Sequence, residues 1–183
     1  MSKSAMNKNF LLTGQPGCGK TTLIQRVIAQ LNIPPGGFYT QEMRVGGARE
    51  GFKMITFDGR EGILAHVKIP GPPRVGRYGV DLDALAAVGV TSIRRALRDQ
   101  TLIVIDEIGP MELFSAAFCQ SVTAALDGAN PVFGSVVWRS RPFSDQVKAR
   151  PDVTVIEVNP GNRDQSAADV LALLLAVIGR DTD

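Results

Sequence analysis

The feature that most constrains the fold is a glycine-rich string near the start of the chain, residues 14–21. It reads Gly-Gln-Pro-Gly-Cys-Gly-Lys-Thr and matches the pattern G-x-x-x-x-G-K-[ST] of a phosphate-binding loop, the Walker A motif. An apolar run of strand type, residues 9–13, precedes it, and residues 21–31 carry apolar side chains at helical spacing. A strand, a glycine loop and a helix in this order are the setting that the motif needs, because the helix N-terminus adds partial positive charge at the phosphates. This setting disfavours the alternative of a plain glycine turn.

Each part of the loop has a task on a nucleoside triphosphate. The glycines let successive backbone N–H groups point at phosphate oxygens, and the Lys20 ammonium reaches the β and γ phosphates, which makes it a catalytic candidate. The Thr21 hydroxyl is a predicted ligand for the cofactor Mg²⁺. The loop residues predicted to bind the nucleotide are Gly14, Gln15, Pro16, Gly17, Cys18, Gly19, Lys20, Thr21 and Thr22.

Length and charge narrow the class of protein. The chain has 183 residues, which predicts a single P-loop NTPase domain over residues 1–183 with a flexible N-terminus at residues 1–8. Hydrophobic residues make up 44% of the chain, enough for a substantial core. The net charge of only +2 argues against a nucleic-acid partner, and a protein partner stays unknown.

Two cysteines and the absence of long apolar runs predict a cytoplasmic protein. Cys18 lies in the phosphate loop and Cys119 in a predicted helix, which is a poor basis for a disulfide and favours a reducing compartment. No run approaches the roughly 18 apolar residues of a membrane span, and the N-terminus has no signal-peptide core. We therefore expect no membrane partner.

The order of predicted elements indicates an α/β fold. Two strand-like runs around a Gly-Gly turn predict a β-hairpin insertion at residues 38–57, after the first helix. Residues 69–78 are rich in Pro and Gly and are expected to form a loop, and residues 81–97 a helix interrupted near Gly89. Apolar strands then alternate with helices, with strands predicted at residues 101–108, 132–137 and 153–158.

Strands that are apolar on both faces predict a three-layer P-loop NTPase sandwich with a mostly parallel sheet. Ligands of such sheets bind beyond the carboxyl ends of the strands. The loops that follow these strands should therefore converge on one pocket; they begin at Gly14, Asp106, Trp138 and Asn159.

A second motif, Asp106-Glu107, ends the apolar strand at residues 101–108. Two acids at the end of a buried strand are costly unless they bind something, so a strand that merely reaches solvent is the weaker hypothesis. Beside a phosphate loop, Asp106 is predicted to hold Mg²⁺ as the Walker B acid. Glu107 is then placed to orient and deprotonate an attacking water. The Asp-Glu order favours the branch of P-loop NTPases that uses a catalytic glutamate.

Several strings together resemble one family. They are Gly37-Phe38-Tyr39-Thr40-x-Glu42-x-Arg44, Gly47-x-Arg49-x-Gly51-Phe52, Tyr78-Gly79-Val80-Asp81, Ile105-Asp106-Glu107-Ile108-Gly109-x-Met111-Glu112 and Asn162-Arg163-Asp164. The chain, over about residues 10–178, is similar to the small nucleoside-triphosphatases first described in thermophiles, which include the human cancer-related nucleoside-triphosphatase. The resemblance implies Mg²⁺-dependent hydrolysis of ATP, GTP and other NTPs to NDP and phosphate, with broad base specificity and slow turnover. Pro110 departs from the family, which usually carries Lys there.

Further candidates keep two interpretations each. Arg139 and Arg141 follow a predicted strand, and either is an arginine finger in cis or an exposed loop residue; Arg139 is favoured because it is nearer the strand end. Asn162 and Arg163 are predicted to contact the base, where an arginine plane stacks on any ring. No Asn-Lys-x-Asp string is present, so guanine selectivity is not expected.

The predicted hairpin carries polar residues that form either a flap over the pocket or cross-strand pairs on a solvated face. These residues are Tyr39, Glu42, Arg44 and Arg49. Glu112 is either a helix-start acid or a group that supports the metal site, and His66 is expected to be non-catalytic.

Two other functions remain open on the sequence. A kinase would use the same loop to transfer the γ-phosphoryl group to a small hydroxyl acceptor, with residues 69–78 as a lid. A nucleotide-dependent switch would use slow hydrolysis to time a partner interaction, with the hairpin as the moving surface.

Overall fold

The computed structural model describes residues 7–99 and 102–179, so residues 1–6 of the predicted flexible segment and Thr101 of the strand predicted at residues 101–108 lie outside the described residues. Nine strands form one sheet. They are β1 (Asn9–Thr13), β2 (Gly36–Val45), β3 (Ala48–Thr56), β4 (Glu61–His66), β5 (Arg74–Val75), β6 (Tyr78–Val80), β7 (Ile103–Ile108), β8 (Val132–Val136) and β9 (Val153–Glu157). Their order across the sheet is β5-β6-β4-β3-β2-β7-β8-β1-β9.

The sheet has a parallel half and an antiparallel half. Strands β2, β7, β8, β1 and β9 are neighbours in that order, and each of the four pairs is parallel. Their carboxyl ends therefore lie along one edge of the sheet, where ligands of such folds bind. This half confirms the predicted α/β class with its parallel core.

The antiparallel half begins with the predicted hairpin and extends beyond it. Strand β2 pairs with β7 through residues 36–38 and then continues away from the parallel half, paired with β3. Strands β4, β6 and β5 follow in antiparallel order. The predicted loop at residues 69–78 contains β5 and ends at the first residue of β6. The sheet is therefore more mixed than the sequence suggested.

Helices cover both faces of the parallel half. They are α1 (Lys20–Ile28), α2 (Leu82–Ala84), α3 (Thr91–Asp99), α4 (Ala116–Asp127), α5 (Pro142–Lys148) and α6 (Arg163–Ile178). One core cluster joins the sheet to α1 and α6, and the other joins it to α3 and α4. Neighbouring residues of β1 separate between them, with Phe10 and Leu12 in the first cluster and Leu11 in the second. This alternation gives the predicted three layers.

The predicted interruption near Gly89 is a π-helical segment, Leu85–Val90, which joins α2 to α3. A Cβ atom at Gly89 would lie 3.2 Å from the Met54 sulfur and 3.5 Å from the Phe38 ring. Gly89 therefore lets this segment approach the sheet closely. Within the described ranges, no helix combines the length and apolarity that crossing a membrane requires.

Candidate active site

The loop between β1 and α1 has the backbone that its glycines allow. Gly14, Gly17 and Gly19 have φ angles of 152°, 80° and 98°, values that other residues rarely adopt. A Cβ atom at Gly14 would lie 2.3 Å from the Val158 carbonyl oxygen, so this glycine also lets the chain after β9 close against the loop. Helix α1 begins at Lys20 and has no acidic residue in its first turn. The positive end of its dipole is therefore uncompensated there.

The Lys20 ammonium lies across the loop that it belongs to. Its Nζ atom donates to the carbonyl oxygens of Gly14, at 3.0 Å, and Gln15, at 3.4 Å. Burial raises the pKa of Asp106 and of Glu107, and the Lys20 charge opposes that rise because it favours the ionised form of both carboxyls. Lys20 therefore interacts both with the loop, through hydrogen bonds, and with the two acids, through its charge.

Asp106 is buried at the end of β7 and held by two hydroxyl groups. The residue is only 1% exposed to solvent. Thr21 Oγ1 donates to Oδ2 and Ser135 Oγ donates to Oδ1, each at 2.6 Å. Burial raises the pKa of Asp106 above its usual value, and the hydroxyl groups of Ser135 and Thr21 oppose that rise.

Ser135 is a site residue that the sequence prediction missed. It lies on β8, between the strands that carry the phosphate loop and Asp106, and it is fully buried. A single serine within the apolar run Val-Phe-Gly-Ser-Val-Val is the signal that points to it. A buried hydroxyl needs a partner, and nothing in the sequence shows that the partner is Asp106.

Glu107 lines the same cleft as Asp106, although neighbouring residues of a regular strand face opposite sides of a sheet. The pairing of β7 with β8 is irregular between Ile105 and Ile108, which interrupts the regular alternation of side chains at this point. Burial raises the pKa of Glu107, Lys20 lowers it and the Asp106 charge raises it further. The carboxylate that the sequence assigned to the water therefore opens onto the cleft.

A third carboxyl group, Glu112, lies behind the pair. It is 4% exposed and belongs to the 3₁₀ turn Glu112–Phe114. A Cβ atom at Gly109 would lie 3.0 Å from Glu112 Oε2 and 3.1 Å from Glu107 Cδ, so the two carboxyls flank this glycine. Burial, followed by the charge of Glu107, raises the pKa of Glu112 to about 8. This placement agrees with a supporting role beside the site.

The donors around Asp106 suit Mg²⁺. The Asp106 carboxylate and the Thr21 hydroxyl touch, and both are hard oxygen ligands of the kind this ion prefers. No group of three or more His, Cys, Asp or Glu side chains able to hold a metal occurs among residues 7–99 and 102–179. Mg²⁺ usually keeps several waters and takes one or two carboxylates plus substrate phosphates, so this sparse donor set fits it.

A cleft of about 680 Å³ joins the loop, the acids and the antiparallel half of the sheet. Its floor holds Lys20, Thr21, Asp106 and Glu107. Its far wall consists of hairpin residues and the turn before β6, namely Thr40, Gln41, Glu42, Arg49, Phe52, Val75, Gly76 and Tyr78. The hairpin therefore forms a wall of the cleft that contains the loop.

Polar contacts order that wall. Arg49 pairs with Glu42 at 2.6 Å and donates to the Tyr78 hydroxyl at 3.1 Å. Its guanidinium also lies over the Phe52 ring, 5.2 Å from the centroid. The Arg49 hydrogen bond lowers the pKa of Glu42. Of the predicted flap residues, Glu42 and Arg49 line the cleft.

The other two predicted flap residues have different surroundings. Arg44 pairs with Glu42 at 2.6 Å, and the Tyr39 ring lies against Phe57, with 5.6 Å between centroids. Neither lines the cleft. Both interpretations of the hairpin therefore apply, to different residues.

The loops after β8 and β9 place the remaining candidates. Arg139 is exposed and does not line the cleft, and Arg141 is the residue before helix α5.

Asn162 uses its side chain within its own loop, donating to the Glu157 carbonyl and accepting from the Asn159 backbone N–H, both at 2.8 Å. Arg163 lies against the phosphate loop, since a Cβ atom at Gly19 would be 3.0 Å from its Cδ. His66 contacts Glu50 at 3.7 Å and does not line the cleft.

The sequence matches the NTPase_1 family, described as NTPase, over residues 9–171. It is 46% identical over 165 residues to the nucleoside-triphosphatase THEP1 of Thermotoga maritima, covering 90% of this chain and 94% of that protein. It is 38% identical over 185 residues to the cancer-related nucleoside-triphosphatase homolog of Mus musculus, covering 92% and 97%.

The fold agrees with these sequence matches. The crystal structure of THEP1 from the hyperthermophile Aquifex aeolicus superposes with a TM-score of 0.84 at 34% identity, covering 91% of this chain and 98% of that one. The resemblance seen in the sequence motifs is thereby confirmed. The chain belongs to the NTPase_1 family, and its fold is that of the THEP1 nucleoside-triphosphatases.

Proposed function

We propose that the chain is a Mg²⁺-dependent nucleoside-triphosphatase that hydrolyses ATP, GTP and other NTPs to NDP and phosphate. The observation that carries the proposal is the single cleft lined by Lys20, Thr21, Asp106 and Glu107. It brings a phosphate-binding cation, two oxygen ligands for the metal and a candidate base to one place. The named activity of the relatives supports the same reaction.

The residues divide the reaction between them. The loop N–H groups, Lys20 and the α1 N-terminus bind the phosphates and stabilise the negative charge that develops on them. Thr21 and Asp106 would hold Mg²⁺, which when bound neutralises charge on the β- and γ-phosphate oxygens. Ser135 fixes the orientation of the Asp106 carboxylate by its hydrogen bond to Oδ1.

Glu107 is the proposed general base. A water oxygen forms the new bond to the γ-phosphorus, the bond to the β–γ bridging oxygen breaks, and the water proton passes to the Glu107 carboxylate. Burial raises the pKa of Glu107, and a carboxylate with a raised pKa is a stronger base when ionised. The nearby Lys20 charge favours the ionised form that accepts the proton.

Two arginines are candidates for the charge that develops at the γ-phosphate. Arg139 was favoured by its position in the sequence, and that role stays a prediction. Arg49 is supported by its position in the cleft with Lys20 and Glu107. Because Glu42 and Tyr78 already hold its guanidinium, we expect it to contribute modestly and turnover to be slow.

Broad base specificity is supported by the loop after β9. The Asn162 side chain and the Asn159 Oδ1 atom are engaged with the backbone of that loop, so these groups are not free to read a base edge. The absence of a guanine-reading string in the sequence points the same way. Base contacts by Asn162 and Arg163 stay predictions.

The organisation and location of the chain stay proposals as well. One continuous sheet supports a single domain over residues 1–183. Two free cysteine thiols, Cys18 and Cys119, support a reducing compartment and hence a cytoplasmic location.

A kinase is the second candidate, because the cleft extends from the phosphate loop to a wall of Arg49, Phe52 and Tyr78 that could receive an acceptor. Phosphate release from ATP, GTP, CTP and UTP, measured with Mg²⁺ and without an acceptor alcohol, separates the two. We expect all four to be hydrolysed by the native chain. Lys20→Ala, which removes the phosphate-binding charge, should abolish release. Phosphoryl transfer that begins only when a nucleoside is added would establish the kinase and refute the hydrolase.

A further inference from the structure

A second cleft lies on the other side of the phosphate loop, with a volume of about 340 Å³. Its walls come from the loop itself, from Trp138 after β8 and from the segment after β9 that includes Asn159 and Pro160. The residues proposed to act on the metal, the water and the γ-phosphate lie outside this cleft; they are Lys20, Thr21, Asp106 and Glu107. Its volume falls within the range of small-molecule sites.

The two clefts meet at the phosphate loop. Pro16 and Gly17 line both of them. A Cβ atom at Gly17 would meet nothing within 4 Å, so there is open space beside this residue of the loop. A ligand whose phosphates occupy the first cleft can therefore extend over residues 16–17 into the second.

Trp138 offers this second cleft an aromatic face. The residue is 48% exposed, which is unusual for so large an apolar side chain next to a binding loop. Within residues 7–99 and 102–179 its ring makes no contact with another aromatic ring or with a cation. Its backbone is fixed, because it directly follows β8 and its carbonyl accepts from Lys148 Nζ at 3.4 Å.

The opposite wall is held by hydrogen bonds within its own loop, and Gln15 and Glu157 also line the cleft. Asn159 Oδ1 accepts from the backbone N–H groups of Gly161 and Asn162, at 2.8 and 3.1 Å. Asn162 in turn accepts from the Asn159 N–H and donates to the Glu157 carbonyl. These bonds fix the loop and leave the Pro160 ring as an exposed apolar surface beside the cleft. Cys18, 8% exposed, adds an apolar part of the lining.

We infer that this cleft is the nucleobase subsite and that Trp138 is the surface on which the base stacks. The inference rests on the proposed function, whose triphosphate would occupy the first cleft. A flat aromatic face binds any purine or pyrimidine, because every base has a π-face. Trp138 thereby gives affinity for the base without selecting among bases.

The chain contains a single tryptophan, so its intrinsic fluorescence reports on Trp138 alone. We expect ATP, GTP, CTP and UTP to change that fluorescence in a saturable way. Inorganic tripolyphosphate, which has the phosphates but no base, should compete with ATP and leave the signal unchanged. Equal fluorescence changes with tripolyphosphate would overturn the inference.

Substitution at the same position gives a second, independent measurement. Trp138→Ala should weaken ATP binding by about tenfold, equivalent to about 1.4 kcal/mol, and leave tripolyphosphate binding within about twofold of native. Trp138→Phe should restore most of the ATP affinity. Leu175→Ala removes another exposed apolar side chain, on α6 and outside both clefts, and should change neither affinity.

The result separates this inference from the proposed function. If Trp138→Ala binds ATP as tightly as the native chain, or loses tripolyphosphate to the same extent, the base does not stack on Trp138. ATP hydrolysis by the native chain would then still support the hydrolase. A native chain that binds neither ATP nor tripolyphosphate would refute both.

Discussion

The carboxyl groups of Asp106, Glu107 and Glu112 differ in their surroundings, and these differences support the different roles proposed for them. Asp106 receives two hydroxyl hydrogen bonds and is suited to hold a metal. Glu107 opens onto the cleft and is suited to meet a water. Glu112 is buried behind them and receives hydrogen bonds from backbone N–H groups, its own and that of Gly109. Residue type alone would have treated the three as equal.

The position of Glu112 predicts that stability depends on pH. Its pKa is about 8 in the folded chain against an ordinary value of 4.5, so the folded state binds the proton more tightly. This stabilisation is fully present below about pH 4.5 and is lost as the pH rises towards 8. Glu112→Gln removes the buried charge and should raise the melting temperature by about 5 to 10 °C at pH 8, with a much smaller rise at pH 5.

Thermal melts of both proteins at pH 5, 6.5 and 8 measure this difference. Asp83→Asn is the matched control, since Asp83 is exposed and makes no side-chain ion pair within the described residues. Its effect should be the same at each pH. An effect of Glu112→Gln that does not grow with pH would contradict a buried, titrating Glu112.

Ser135 predicts a change in metal affinity. Ser135→Ala leaves Asp106 Oδ1 without its hydroxyl donor, so the carboxylate is held less firmly against Thr21. Loss of such an outer partner should raise the Mg²⁺ concentration for half-maximal phosphate release by about 10- to 100-fold. Ser144→Ala removes another buried serine, whose hydroxyl donates to the Arg141 carbonyl, and should leave that concentration unchanged. Equal responses of the two variants would exclude a role for Ser135 in the metal site.

At the level of elements, the hairpin formed by β2 and β3 carries the cleft wall. Strand β2 is anchored in the parallel half at residues 36–38, and its later residues bring Glu42 towards the cleft. Strand β3 supplies Arg49 and Phe52. A strand that belongs to both halves thus links the metal site to the wall. The switch hypothesis would require this paired strand to move.

The contribution of Arg49 on the hairpin to the rate can be compared with that of Arg139, which follows β8. Arg49→Ala removes the cation in the cleft wall and should lower kcat by about tenfold, a modest loss for a charge near the γ-phosphate because Glu42 and Tyr78 already hold the guanidinium. Arg139→Ala should lower kcat by less than about threefold if Arg139 is an exposed loop residue. Phosphate release under saturating ATP measures both. A larger loss in Arg139→Ala would restore the role that its sequence position predicted.

At the level of the whole molecule, one sheet positions both the proposed catalytic residues and the hairpin wall of the cleft. The parallel half places the loops after β1 and β7 at one edge, and the antiparallel half continues the same sheet without a break. A continuous hydrogen-bonded sheet should unfold as a unit. The proposed single domain therefore predicts that both halves of the sheet unfold together.

Calorimetry tests whether the two halves of the sheet unfold together. We expect one unfolding transition, with equal calorimetric and van't Hoff enthalpies, and a shift of the entire transition to higher temperature with Mg²⁺ and ATP. Ligand at 100 times its dissociation constant should add about 2.7 kcal/mol. Two transitions, of which only one responds to nucleotide, would show that the antiparallel half is a separate domain.

Local strings in the sequence predicted a large part of the fold and named most residues of the candidate site. The phosphate loop, the acid pair and the hairpin are encoded by residues close together in the chain, so spacing and turn chemistry predict them. The order of strands across the sheet is set by contacts between distant residues. For that reason the partnership of Ser135 with Asp106 and the addition of β5 and β6 to the antiparallel half were not predicted, and the place of Arg49 in the cleft was one of two open interpretations.

The central claim is that water attacks the γ-phosphorus with Glu107 as its base. The most direct measurement is mass spectrometry of the products formed from ATP in heavy-oxygen water, without any acceptor, for the native chain and for Glu107→Gln. We predict that the native chain places heavy oxygen in the released phosphate and none in ADP, and that Glu107→Gln lowers the rate by about 100-fold or more while still binding ATP. Label in ADP, phosphate without label, or an undiminished rate in Glu107→Gln would contradict the claim.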